Sequence, residues 1–163
     1  MINLIRRTFL KISYKGDYAL KALIDIGIFE KNGVVSIRDI SEREDIPLKF
    51  LEQIFIVLKK DGLVKSRRGK EGGYMLAINP SDITVGRILR LVEGTLKPIT
   101  CFKHTDDDPA EEYTKCDFTG SCAMQHLWIE VYDAISSILD NKTLGDLIKE
   151  TEEQRKKFQY YQI

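Results

Sequence analysis

The residues best suited to chemistry are three cysteines, Cys101, Cys116 and Cys122, all placed in one polar, acidic stretch of a 163-residue chain. Thiolates are the usual ligands of iron-sulfur clusters and common ligands of structural zinc. Gathering scattered thiols needs a flexible segment that the metal then orders. Fourteen residues separate the first two cysteines and five separate the last two, so the C-x-x-C knuckle of a zinc finger is missing. Most clusters need a fourth ligand. His104, Gln125, His126 or a residue of a partner subunit can supply it. A zinc site, redox-active thiols and incidental cysteines are the competing readings, although three thiols confined to one polar loop are unusual for a residue type that prefers burial.

A second chemistry is carried by positive charge. From Lys59 to Lys70 there are six basic residues and one acid, in a chain with 25 residues of each sign overall. The run includes Arg67, Arg68 and Lys70, and it is followed by Gly72 and Gly73. A basic, glycine-rich loop that approaches a nucleic-acid backbone fits this composition, with Arg68 suited to a narrow minor groove.

These groups need elements to hold them. Ser36-Ile-Arg-Asp39 resembles a capping box and starts a short helix that turns Ile37 and Ile40 inward. Glu44-Asp45-Ile46 reads as the turn, and Pro47 suits a first helical position. Leu51, Ile54, Phe55 and Leu58 then repeat at the spacing of one buried helical face. The opposite face holds Lys49, Phe50, Glu52 and Gln53, residue types that read base edges: Glu52 a cytosine, Gln53 an adenine, Lys49 a guanine or phosphate, Phe50 a thymine methyl group. Gly62 stops this helix, 63–66 reads as a strand, 67–73 as a tip and 74–76 as the returning strand. Helix, turn, helix and basic hairpin make a winged helix-turn-helix.

Elsewhere, Ser13 caps an expected helix with Tyr18, Ala22, Leu23 and Ile26 inside and an Asp17–Lys21 pair outside. Thr84 caps another with Val85, Ile88, Leu89 and Val92 on one stripe, stopped by Gly94. Periodicity is lost over 95–121. A long helix resumes at Ala123 with Met124, Leu127, Trp128, Val131, Ile135, Ile138 and Leu139, more apolar surface than one intrachain contact requires, which suits an intersubunit interface. A short helix over 143–148 and an exposed charged tail close the chain. The expected fold is mainly α with a small β-hairpin wing. It divides into a winged helix-turn-helix domain (1–94), a cysteine-containing acidic loop (95–122), and a dimerisation helix with C-terminal tail (123–163).

With 43% apolar and 31% charged residues the chain reads as an ordinary soluble protein. Residues 1–12 read as a short strand or a frayed extension and lack the apolar run of a signal peptide or membrane span, so a cytoplasmic location without membrane contact is expected. An enzyme is not expected. There is no glycine-rich phosphate loop after a strand, no nucleophile elbow, and the two histidines sit beside the cysteines.

Six segments together resemble the Rrf-two family of bacterial winged-helix regulators, which includes an iron-sulfur-cluster regulator and a nitric-oxide-sensing repressor. They are Tyr14-Lys-Gly-Asp-Tyr-Ala-Leu20, Asp39-Ile-Ser-Glu-Arg43, Phe50-Leu-Glu-Gln-Ile-Phe55, Leu58-Lys-Lys-Asp-Gly-Leu-Val64, Arg68-Gly-Lys-Glu-Gly-Gly-Tyr74 and Ile88-Leu-Arg-Leu-Val-Glu-Gly94. The resemblance spans roughly residues 11–148. It implies a homodimer formed through the long helix after the cysteines, a palindromic double-stranded DNA operator, base reading by Lys49, Phe50 and Glu52, and a minor-groove role for Arg68.

It also implies that Cys101, Cys116 and Cys122 hold an iron-sulfur cluster, [2Fe-2S] or [4Fe-4S], since family members that sense through a cluster carry three cysteines ahead of the dimer helix. Others lack them and sense differently. In one branch a histidine is the fourth ligand, and that position falls on Gln125 here, with His126 one residue late. In the nitric-oxide-sensing branch the fourth ligand is an aspartate from the partner's first helix, and Asp17 stands at that position. Asp17 of the partner subunit is therefore the expected ligand, with His126 the alternative. The expected function is a dimeric transcription regulator, such as a repressor, whose operator affinity follows the state of a cluster. The rival readings are the same DNA-binding fold with zinc or redox-thiol sensing, and a protein-interaction module without a cluster.

Overall fold

A computed structural model describes residues 13–69, 72–97 and 122–160. Helix α1 (Tyr14–Phe29) is the wall on which the rest is built, and α2 (Ile37–Glu44), α3 (Leu48–Lys60), α4 (Val85–Glu93) and α6 (Leu144–Tyr160) all pack against it. Its Ala19, Ala22, Leu23 and Ile26 are fully buried. Two alanines on that face let neighbouring helices come close, while the leucine and isoleucine fill the space between them. Tyr18, expected inside, is only partly buried and packs at the edge of the core.

The helix-turn-helix forms as local chemistry directs. Ser36 caps α2, its Oγ accepting from the amides of Arg38 and Asp39. At the turn, Asp45 takes a left-handed conformation with φ +50°, the Ser41 hydroxyl donates to the carbonyl of Ile46 at 2.6 Å, and Ile46 is buried. Pro47 stands one residue before α3, at the N-cap rather than at the first helical position, and its carbonyl accepts from the amide of Phe50. Leu51, Ile54, Phe55 and Leu58 form the buried face of α3. Gly62, at φ +76°, lets the amide of Leu63 reach back to the carbonyl of Leu58, which ends the helix and aims the chain into the wing.

The wing pairs β1 (Val64–Arg67) antiparallel with β2 (Gly73–Leu76), from Val64 opposite Leu76 to Arg67 opposite Gly73. Val35 adds one bridge on the outer side of β2 by exchanging both backbone hydrogen bonds with Tyr74. That approach explains Gly73, where a Cβ would meet the carbonyl oxygen of Val35 at 2.5 Å. The Tyr74 ring lies 4.2 Å from that of Phe55, joining wing to α3.

Helix α5 (Ala123–Asn141) has no buried residue. Its Tyr132 and Leu139 cover Val85, Leu89 and Leu96, and Asp140 pairs with Arg90 of α4. An adjoining side leaves Met124, Leu127 and Ile138 exposed. The final helix departs from expectation, since α6 continues through 149 to Tyr160 instead of ending near Ile148. Asp146 accepts from both the amide and hydroxyl of Thr143, whose Oγ accepts in return from the amide of Asp146, a capping box that lowers the Asp146 carboxyl below its usual range. Leu144 is buried in the main core, and Ile148 lies against Gly27, where any larger residue would collide with it. The expected strand or extension at 1–12 lies outside the described residues.

One charge is buried in this core. Asp25 is 0% exposed and accepts two hydrogen bonds from Arg43, at 2.9 and 2.7 Å. The Arg43 guanidinium also lies 4.3 Å from the centre of the Phe29 ring. The pair fastens α2 to α1, and its hydrogen bond to Asp25 raises the Arg43 pKa further. Breaking a buried pair leaves one charge without compensation, which costs about 3–5 kcal/mol. Arg43→Met should therefore lower unfolding free energy by about 3 kcal/mol, the lower end because the arginine is partly exposed, measured as a fall in urea midpoint at unchanged slope.

Candidate nucleic-acid interface and cysteine segment

The exposed side of α3 carries Lys49, Phe50, Glu52 and Gln53 together, as the spacing predicts. Phe50 is 50% exposed, and its ring centre lies 6.1 Å from that of Tyr18 in a T-shaped contact. Tyr18 in turn lies 6.0 Å from Tyr14. A short aromatic row thus runs from the first turn of α1 to the first turn of α3. Sequence reasoning missed it because rings 32 residues apart, at Tyr18 and Phe50, share no local pattern.

Positive charge borders this face. Lys59, Lys60, Lys65, Arg67 and Arg68 are all exposed, and Lys59 Nζ donates to Ser66 Oγ at 2.8 Å, holding the start of the wing to the end of α3. The single acid of the run, Asp61, is taken up by Arg87 of α4 at 2.8 Å, so it subtracts little from the local field. At the tip Gly69 adopts φ +120° and its carbonyl accepts from the amide of Gly72 at 3.0 Å. Lys70 lies outside the described residues.

Of the three cysteines, Cys122 is described, and Cys101 and Cys116 fall outside, as does His104. Cys122 occupies the N-cap of α5, is partly exposed, forms no disulfide, and its thiol makes no capping hydrogen bond. The unpaired amides and dipole at a helix start favour a negatively charged ligand set nearby. Gln125 and His126 follow in the first turns of α5, with His126 exposed. Among the described residues no three acidic, thiol or imidazole groups gather at one point.

Asp17 lies in the first turn of α1 with its side chain 49% exposed and pairs with Lys21 at 2.9 Å. That hydrogen bond is the main reason the Lys21 pKa is raised. An exposed pair four residues apart holds its partners by only a few tenths of a kcal/mol, so Asp17 can be released to another ligand at small cost. The same helix start is fastened from a distance. Glu93 Oε1 accepts from the Ser13 amide at 3.0 Å, the Ser13 hydroxyl at 2.8 Å and the Gly16 amide at 2.8 Å. Glu93 is the last residue of α4, and the chain leaves for the cysteine segment directly after it.

A helix-turn-helix, a hairpin wing beside it and a positive border define a winged helix-turn-helix protein of the DNA-binding class. The chain matches the family model of Rrf2, described as an iron-dependent transcriptional regulator, over residues 12–150. It is 37% identical over 143 residues to the HTH-type transcriptional regulator IscR of Vibrio atlanticus (strain LGP32), an alignment covering 88% of this chain and 78% of that protein. Among solved structures it resembles IscR of T. potens, with 38% identity, a TM-score of 0.69 and coverage of 88% and 90% of the two chains. It also resembles CymR, the global cysteine regulator of B. subtilis, with 35% identity, a TM-score of 0.68 and coverage of 86% and 97%. The chain belongs to the Rrf2 family of transcriptional regulators, and it is therefore a DNA-binding regulator and not an enzyme. No helix among the described residues is long and apolar enough to cross a membrane.

Proposed function

We propose that this regulator binds a palindromic operator as a homodimer and that an iron-sulfur cluster sets its affinity. Support for DNA reading comes from the exposed face of α3, where Lys49, Phe50, Glu52 and Gln53 offer base-reading groups beside the positive wing residues Arg67 and Arg68. Lys70 extends the same charge. The exposed Met124, Leu127 and Ile138 of α5 form an apolar side that a second copy would cover, and paired recognition helices are what a palindrome requires.

The observation that carries the cofactor reading is Cys122 at the start of α5, exposed in part and with its thiol in neither a disulfide nor a helix cap, together with the half-exposed Asp17 at the start of α1. Both suit a ligand set. Cys101, Cys116 and Cys122 would hold the cluster as thiolates, and Asp17 of the partner subunit would complete it, with His126 the alternative. A bound cluster supplies a redox-active iron centre, and a carboxylate as fourth ligand leaves one iron more easily released than four thiolates would. The remaining work belongs to the protein: Glu93 fixes the first turn of α1 that carries Asp17, and the Tyr18–Phe50 contact joins that turn to α3. The family resemblance alone leaves the sensed signal open, since relatives at similar identity carry the different names IscR and CymR. The cysteines favour the cluster.

Replacing Arg67, Arg68 and Lys70 by alanine should weaken binding across all DNA sequences and lower the slope of log affinity against log salt by roughly 2–3, about one per lost phosphate contact. An unchanged slope would remove the wing from the interface. Protein prepared without oxygen should be coloured, with visible absorption and equal iron and sulfide, and Cys101, Cys116 and Cys122 replaced by serine should abolish both. Colourless protein containing zinc or no metal would favour a thiol or zinc sensor.

A further inference from the structure

One residue on the recognition helix is used by neither the core nor the base-reading set described above. Ile56 is 69% exposed, in the middle of α3. It follows Gln53 by three residues, Glu52 by four and Lys49 by seven, so it lies on their stripe, one turn further along. The buried residues Leu51, Ile54, Phe55 and Leu58 occupy the other side of the helix. Lys60 continues the outer stripe four residues beyond.

Folding gives no reason for an isoleucine here. A β-branched residue is a slightly poorer helix former than alanine, lysine or glutamate, and one this exposed returns little through packing. A single apolar side chain on a surface is ordinary in itself. This one stands at the centre of a face bordered by Lys49, Lys59, Lys60 and the basic wing, a charge pattern complementary to a nucleic-acid duplex. Within a major groove the apolar group that such a side chain can meet is the C5-methyl of thymine.

We infer that Ile56 is a specificity-determining residue that packs against a thymine methyl group in each operator half-site, one helical turn along from the bases facing Glu52 and Gln53. The inference rests on the proposal that α3 reads the major groove. It adds a second apolar contact, two turns along from the thymine methyl open to Phe50, and a methyl contact selects thymine over cytosine or uracil without a hydrogen bond.

The test begins with selection of a preferred duplex from random sequence by the intact wild-type protein. Each thymine of that duplex is then replaced singly by deoxyuridine, which deletes the methyl group and leaves base pairing intact. Wild-type affinity should fall roughly three- to fivefold at a thymine facing Ile56, the weight of one methyl group taken out of water, separately from any thymine that Phe50 meets. Ile56→Ala, on an exposed helix position where alanine is a better helix former, should fold normally and bind thymine and uracil duplexes equally at that site. Uracil effects of the same size in wild type and Ile56→Ala at every position, or none at any position, would overturn the role of Ile56 while leaving groove reading by α3 intact. Failure of the wild type to select any sequence would overturn both.

Discussion

The first turn of α1 is held by a carboxylate from the far end of α4. Three donors at that helix start, two amides and a hydroxyl, converge on one oxygen of Glu93. A helix start has orphan amides and a partial positive charge, so an acidic acceptor there satisfies donors and dipole together. The consequence is geometric. The point where the chain departs toward the cysteines and the turn that carries Asp17 are parts of one fixed corner. Because α2, α3, α4 and α6 all lean on α1, that corner is also the reference from which the recognition helix is positioned.

From this corner two contacts lead to the helix-turn-helix. The aromatic row from Tyr14 through Tyr18 ends on Phe50 at the start of α3, and the Asp25–Arg43 pair ties the middle of α1 to α2. Arg155 of α6 reaches the same place, meeting Glu44 at 3.3 Å and lying on the Phe29 ring that Arg43 also covers. All three contacts fall at the turn between α2 and α3, so they fix the start of α3 against α1. On the proposed reading, a ligand that draws Asp17 toward the partner's cysteines acts one residue from Tyr18, and so changes the placement of two recognition helices together. That gives coupling between cluster and operator a route through packed groups.

Much of this was legible in the residues, for reasons that differ by element. The helix-turn-helix and wing follow from local rules: a serine cap, an apolar repeat of helical period, a glycine stop and a short hairpin with a basic, glycine-rich tip. The stripe of α4 and its glycine stop are equally local. The full length of α6 was hidden because its second half is charged and has no apolar period: the apolar packing comes from Leu144 and Ile148 in the first turns, while further along Arg155 reaches back by charge to Glu44. Asp25 with Arg43, and Glu93 with Ser13, join residues distant in sequence, so neither pattern nor spacing reveals them. The outward side chains of α3 stand where spacing put them.

The central claim is that occupancy of the cysteine segment changes how tightly two recognition helices hold one operator. It is tested most directly by measuring, without oxygen and at fixed salt, the Kd for the selected palindrome of iron-loaded protein and of the same preparation after chelation. The account predicts a difference of roughly tenfold or more, within the span of about 1–3 kcal/mol typical of coupled sites, and no such difference in the triple serine variant. Equal Kd values for the loaded and stripped wild-type protein would contradict it.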